Sequence, residues 1–263
     1  VKNHDGTEET PAAGRLAAGR RRRTTRSGTA LSHDLIVQTT IRLLSRHGNE
    51  ALSVRRLGAA LGADPSAVYR YFRSTDDLVL AVADELIGMS LHDVRLTGGW
   101  REDLRCTGTS LHRTYVAHPQ VAVLAASRVT RRPNEMKGVE LGLGILRAAG
   151  FPPEEAARYY HRFIDFTLGF AAIDAAANAL PPQAGSADRA AWRATYVCLP
   201  ADEYPHIAES ADALARTMNT SAYQGALEVF LDGLHCALGQ LDQLGQVDQV
   251  DQVGQSGQLG GGQ

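Results

Sequence analysis

The chain has 263 residues, of which 44% are hydrophobic but only 6% aromatic, and a formal net charge of −2. Cys106, Cys198 and Cys236 are odd in number and in no C-x-x-C spacing, so neither a disulfide framework nor a metal site is expected. No apolar run of about 18 residues is present, and the Arg-rich N-terminal end has no apolar segment behind it; a membrane span and a secretory signal are therefore not expected, and the cytoplasm is the predicted compartment.

Ala-rich composition with few aromatic residues favours helices over strands, so the predicted class is all-α. Charge divides unevenly along the chain. Residues 1–78 carry 13 basic and 8 acidic groups, whereas 79–263 carry 14 and 21. That distribution suits a chain whose first part meets phosphate and whose remainder does not.

Residues 1–31 lack a hydrophobic period and are predicted to be a disordered basic arm. Its Arg20 to Arg23 run with Arg26 fits either a solubilising tail or a segment that follows DNA phosphates. A first helix is predicted over about 33–46, capped by Ser32, with Ile36, Thr40, Leu43 and Leu44 on one face and Gly48 as its stop. Ser53 opens a second, short helix bearing Val54, Leu57 and Leu61. Gly62 interrupts it, and Asp64-Pro65 open a third that ends near Tyr71. Ser74 with Asp77 starts a fourth helix, about 75–95, striped by Leu78, Val82, Leu86 and Met89.

Further helices are predicted at about 101–117, 119–130, 134–149 and 153–179, with 180–205 irregular. A last helix, about 219–240, sets Leu227, Leu231, Leu234 and Leu238 at packing-seam spacing. The Gln, Asp, Gly and Val repeat over 241–263 is expected to be a low-complexity, disordered tail. The division is thus an arm (1–31), a three-helix helix-turn-helix domain (32–78), a larger helical domain (79–240) and the tail.

Two short helices around a glycine are a weak signal alone. The string LSVRRLGAALGADPSAVYRYFRSTDDLVLAVADEL, however, closely resembles the DNA-binding domain of the tetracycline-repressor (TetR) family, with specific likeness over residues 32–78. The hydroxyl at Ser53, Ser66 in the third helix, the Tyr69 to Phe72 aromatic run and the Asp77-Leu78 pair carry it. The resemblance implies that Ser53 and Tyr69 bind phosphates of double-stranded operator DNA and that Arg55 reaches a phosphate or a base edge. It also implies that Pro65, Ser66, Ala67, Arg70 and Tyr71 face the major groove, with Arg70 the first choice for direct readout. Tyr71 fits core as well as groove, and Phe72 fits the core better. Thr75 stands near where many relatives have Lys, which puts one phosphate contact in doubt.

The same resemblance implies a C-terminal domain that dimerises and senses a small hydrophobic effector. Phe166, Gly169, Phe170, Leu227, Leu231 and Leu234 are the candidate homodimer residues, although such faces also suit an intramolecular core. His112, Tyr115, Arg128, His161 and Asp165 are polar groups among apolar helical positions and are the candidate effector contacts. No cofactor is implied. With no G-x-S-x-G, H-E-x-x-H or Walker loop present, a repressor released by its ligand is expected rather than an enzyme. The alternative is a regulator whose C-terminal domain only dimerises or binds a protein.

Overall fold

A computed structural model describes residues 30–48, 52–217 and 220–258. The elements are α1 (His33–His47), α2 (Val54–Leu61), a 3-10 helix (Pro65–Arg70), α3 (Thr75–His92), α4 (Trp100–Ala117), α5 (Pro119–Ala125), α6 (Pro133–Ala148), α7 (Pro153–Ala179), α8 (Pro182–Val197), α9 (Pro205–Thr217) and α10 (Tyr223–Gln258). The fold is all-α, with no strand among the described residues and no helix there long and apolar enough to cross a membrane. The basic arm, apart from its last two residues, lies outside the described residues.

Local chemistry sets the helix starts. The Ser32 hydroxyl accepts from the Leu35 amide at 3.1 Å, and the Ser74 hydroxyl accepts from the Asp77 amide at 3.1 Å. Each of α5 to α9 opens on proline, whose missing N–H would lack an intrahelical partner there anyway.

Three expectations need correction. The segment expected to be irregular, 180–205, contains α8, because Pro182 begins a helix rather than interrupting one. A further helix, α9, follows it. The third predicted helix is a 3-10 helix, and the last runs beyond 240 into the expected tail, to Gln258.

Two cores hold the chain together. The first joins Ile36, Val37, Ile41 and Leu44 of α1, Leu57 and Leu61 of α2, and Val68 and Phe72 to Leu78, Val82 and Leu86 of α3. It continues without interruption into Leu111, Tyr115, Val121, Ala122, Ala171 and Ala175. Leu31, the last residue of the expected arm, is buried in it. The core therefore crosses position 78, the boundary expected between the two domains. The second core contains Leu104, Ile145, Leu146, Phe151, Phe163 and Tyr223 together with Leu227, Leu231 and Leu234. Those three leucines, expected at a dimer interface, are at most 1% exposed within one chain: the α10 seam is covered by the chain's own α4, α6 and α7.

The helices are further locked by one buried carboxylate. Asp84 on α3 accepts from the Thr130 hydroxyl at 3.1 Å and from the amides of Glu135 at 2.9 Å and Asn134 at 3.3 Å. The residue before α6, Arg132, supplies no side-chain cap, so α3 caps α6 from outside. Asp84→Ala would leave two first-turn amides and a hydroxyl without their acceptor. A loss of about 2 kcal/mol is expected, read as a lower Tm in thermal unfolding, with a smaller loss for Asp84→Asn.

Candidate nucleic-acid interface

Leu57, Gly58 and Leu61 form the buried side of α2, leaving Arg55 and Arg56 on its outer side. Gly62 ends the helix at φ 59°, a left-handed conformation that glycine adopts without steric cost. Asp64 then caps the 3-10 helix, its carboxylate accepting from the Ser66 amide at 2.8 Å and the Ser66 hydroxyl at 2.5 Å. With its proton directed to Asp64, Ser66 presents an acceptor. That suits the amino group of a base better than a phosphate, which itself only accepts.

How closely these two elements meet depends on Gly58. A Cβ there would lie 3.0 Å from the Ala63 carbonyl oxygen and 3.0 Å from the nitrogen and Cα of Pro65, all backbone atoms with little freedom to move. Sequence reasoning missed this residue. Glycine inside a short helix signals only a propensity cost until its neighbours are known.

Ser53, Arg55, Pro65, Ser66, Tyr69 and Arg70 are all exposed, and Tyr69 is 53% so. The Ser53 hydroxyl caps no amide of α2. Arg55 and Pro65 flank a groove of about 500 Å³ floored by Gly58, Ala59, Gly62 and Ala63. Thr75 is half-buried in the first turn of α3. One of the expected contacts is placed otherwise. Ala67 is buried, because it and Val68 form the side of the 3-10 helix that packs on α2. Tyr71 is exposed, and its hydroxyl donates to the Leu31 carbonyl at 2.5 Å, tying the chain before α1 to the end of the 3-10 helix. Phe72 is core, with the His33 ring 4.6 Å away.

The five expected effector contacts do not converge. Tyr115 is buried in the first core, and burial raises its pKa. The His112 Nε2 lies 2.8 Å from Asp174, and its ring stacks on Tyr223 at 4.1 Å, joining α4, α7 and α10. Arg128 instead pairs with Asp76 of α3 at 2.7 Å. His161 and Asp165 face solvent and each other, 3.4 Å apart on one side of α7. Helical spacing places i and i+4 together but does not decide whether their side faces a cavity.

A separate cleft of about 390 Å³ lies between α4 and α6, lined by Leu96, Trp100, Leu141, Gly144 and Ile145 among others. The Asp103 carboxylate at its wall is occupied, accepting from the Thr97 amide and hydroxyl and the Gly98 amide. These bonds hold its pKa down against the upward pull of burial. Nearby, Tyr160 packs where a Cβ at Gly142 would be 2.6 Å from its ring, and burial pushes its pKa up to about 12.

The expected dimer residues on α7 fare differently from the α10 leucines. Phe166 and Phe170 are half-buried against Tyr223 and each other, whereas Gly169 is exposed, with no neighbouring side chain within 4 Å of where a Cβ would stand. Ile173 of α7 is 69% and Val229 of α10 72% exposed, so each of these two packed helices leaves a large apolar side chain uncovered.

A helix, a left-handed glycine turn and a short helix with its polar side outward define a helix-turn-helix DNA-binding protein, here fused through a shared core to a larger helical body. Residues 36–82 match the model for bacterial regulatory proteins of the tetR family, and residues 95–238 match that for the tetracyclin repressor-like C-terminal domain. The chain belongs to the TetR family.

Its relatives are described as transcriptional regulators. It is 26% identical to the repressor DrrR1 of Streptomyces coeruleorubidus over 80% of this chain and 79% of that one. To a helix-turn-helix regulator of Saccharopolyspora erythraea it is 32% identical, over 46% of this chain and only about half (51%) of that protein. Among solved structures, ActR of Streptomyces coelicolor in complex with actinorhodin aligns with a TM-score of 0.70 at 27% identity, covering 80% of this chain and all (100%) of that one.

Gly58→Ala tests the helix-turn-helix geometry. Forcing α2 from Pro65 is expected to cost about 1–3 kcal/mol of stability. Thermal unfolding together with DNA titration checks it. An unchanged Tm would show that the two elements separate freely.

Proposed function

We propose that the protein is a homodimeric repressor that reads a palindromic operator in the cytoplasm and is released from it by a small hydrophobic molecule. The observation carrying the reading is the outward row of Ser53, Arg55, Ser66, Tyr69 and Arg70 on a turn whose geometry Gly58 and Gly62 fix. Arg70 offers a guanidinium fork to a guanine edge, while Ser53 and Tyr69 offer hydroxyls to phosphates. Selection of bound duplexes from a random pool tests the reading, and an inverted repeat is the expected product. Arg70→Ala should then weaken the selected site about 10- to 100-fold and relax one position per half-site. Ser53→Ala should weaken all sequences alike.

One short reading helix binds too few base pairs to select a site alone, and two-fold pairing supplies the second. The face of Ile173, Gly169 and Val229, backed by Phe166 and Phe170, is the surface we assign to that pairing. Val229→Arg and Ile173→Arg should each shift the solution mass toward monomer and lower operator affinity, because an unpaired charge in a packed interface is costly. Unchanged mass in both variants would remove this face from consideration.

For the effector we favour the cleft between α4 and α6 over the five dispersed polar residues. Its walls are mainly apolar, as a hydrophobic ligand requires, and ActR has been solved with the small molecule actinorhodin. Gly144, with open space beside it, is the position to fill. Gly144→Phe should abolish ligand-induced thermal stabilisation and operator release while leaving operator affinity unaltered. Ligands that stabilise this variant as much as the parent would place the site elsewhere.

A further inference from the structure

Asp76 and Asp77 open α3 shortly after the end of the reading helix, on a part of the chain that also carries Arg70 and Arg73. Carboxylates in a first helical turn suit the helix dipole, but beside a DNA backbone they repel phosphate. Both are answered by arginines from the segment joining α5 to α6. An Arg128 nitrogen donates to Asp76 at 2.7 Å. Arg132 donates to the Asp77 carboxylate at 2.6 Å and to the Asp77 carbonyl at 3.0 Å, while the other carboxylate oxygen of Asp77 accepts from the Arg73 amide at 2.9 Å.

The arginines are not on a loose loop. Glu135 accepts from the amides of Thr130 and Arg131 at 3.1 and 2.6 Å, and Arg131 is held at φ 56°, a conformation uncommon outside glycine. Thr130, Asn134 and Glu135 are in turn bonded to Asp84. Arg132 directly precedes α6, the helix that forms one wall of the α4–α6 cleft. Only a displacement of α6 that breaks the Asp84 contacts therefore carries Arg132, and through the short wired segment Arg128, away from the first turn of α3.

We propose that Arg128 and Arg132 are removable charge shields: docked, they neutralise Asp76 and Asp77 so that the first turn of α3 tolerates the DNA backbone, and undocked they leave two carboxylates facing phosphate. The inference rests on the DNA-binding reading above and adds an electrostatic component to any change in the spacing of the two reading helices. Neither arginine needs to touch DNA.

The test uses the full-length protein and the operator selected from the random pool, with no effector. Arg128→Gln/Arg132→Gln should bind that operator about 10-fold more weakly at low salt, with the deficit shrinking as added salt screens the exposed carboxylates. Adding Asp76→Asn and Asp77→Asn to that variant should restore affinity to within about 2-fold of the parent, since the shields are needed only while the charges are there. Failure of the asparagines to restore binding would overturn the proposal, as would a double glutamine variant that binds like the parent. Should the glutamine variant not fold, Asp76→Asn alone, at an exposed pair, serves: it should bind at least as tightly as the parent, and weaker binding refutes the idea. A parent protein that selects no operator at all would instead refute the DNA-binding reading, so the two failures are distinguishable.

Discussion

The buried carboxylate of Asp84 is the constraint on which the seating of α6 against α3 depends. It lies on α3, the helix that contributes Leu78, Val82 and Leu86 to the core beneath the helix-turn-helix, and it terminates the free amides of α6. One helix thus serves both halves: its first turn borders the reading element and its middle holds a wall of the α4–α6 cleft. An unmet carboxylate at 7% exposure would be expensive, so the Asp84 contacts favour one registry of α6 against α3 over continuous sliding. Well-packed contacts of this kind pass a shift at one site on to another rather than absorbing it.

Local chemistry made much of this legible in sequence. Ser32 and Ser74 announced their helices because a hydroxyl before an apolar period has a defined amide partner, and both partners are found. The α7 boundaries follow from Pro153 and the end of the apolar period at Ala179. The start of α8 was less legible, because proline marks a helix start and a helix stop alike and the described part of α8 has no buried residue to reveal its face. Periodicity showed that Leu227, Leu231 and Leu234 share a side of α10, but not whether that side is covered by the same chain or by a second one. Gly58, Asp84 and the Arg128–Asp76 pair were not legible, since each acts through a partner set by tertiary geometry.

The same geometry explains why the uncovered side chains of α7 and α10 are firmly presented. Toward the interior, α7 places Phe163, Thr167, Ala171 and Ala175 at successive turns, the small residues allowing close approach to α4 and α5. Gly169 and Ile173 fall on the other side. α10 is pinned twice. Its buried leucines enter the second core, and Glu228 meets Arg105 at 2.5 Å and Arg101 at 2.9 Å, with Asp232 on Arg101 at 2.6 Å. The two guanidiniums hold the Glu228 pKa at about 2, so this carboxylate stays ionised and paired at any neutral pH. These pairs lie half-buried at the surface and contribute more to registry than to stability. Because Val229 adjoins Glu228, the exposed face of α10 is fixed to α4, and α4 packs on α3. A second copy seated on that face would therefore be connected to the reading helix through packed helices alone, with no flexible linker among the described elements. Such a connection fixes the distance between two reading helices to within what the cores permit, which is the condition for matching both half-sites of a palindrome.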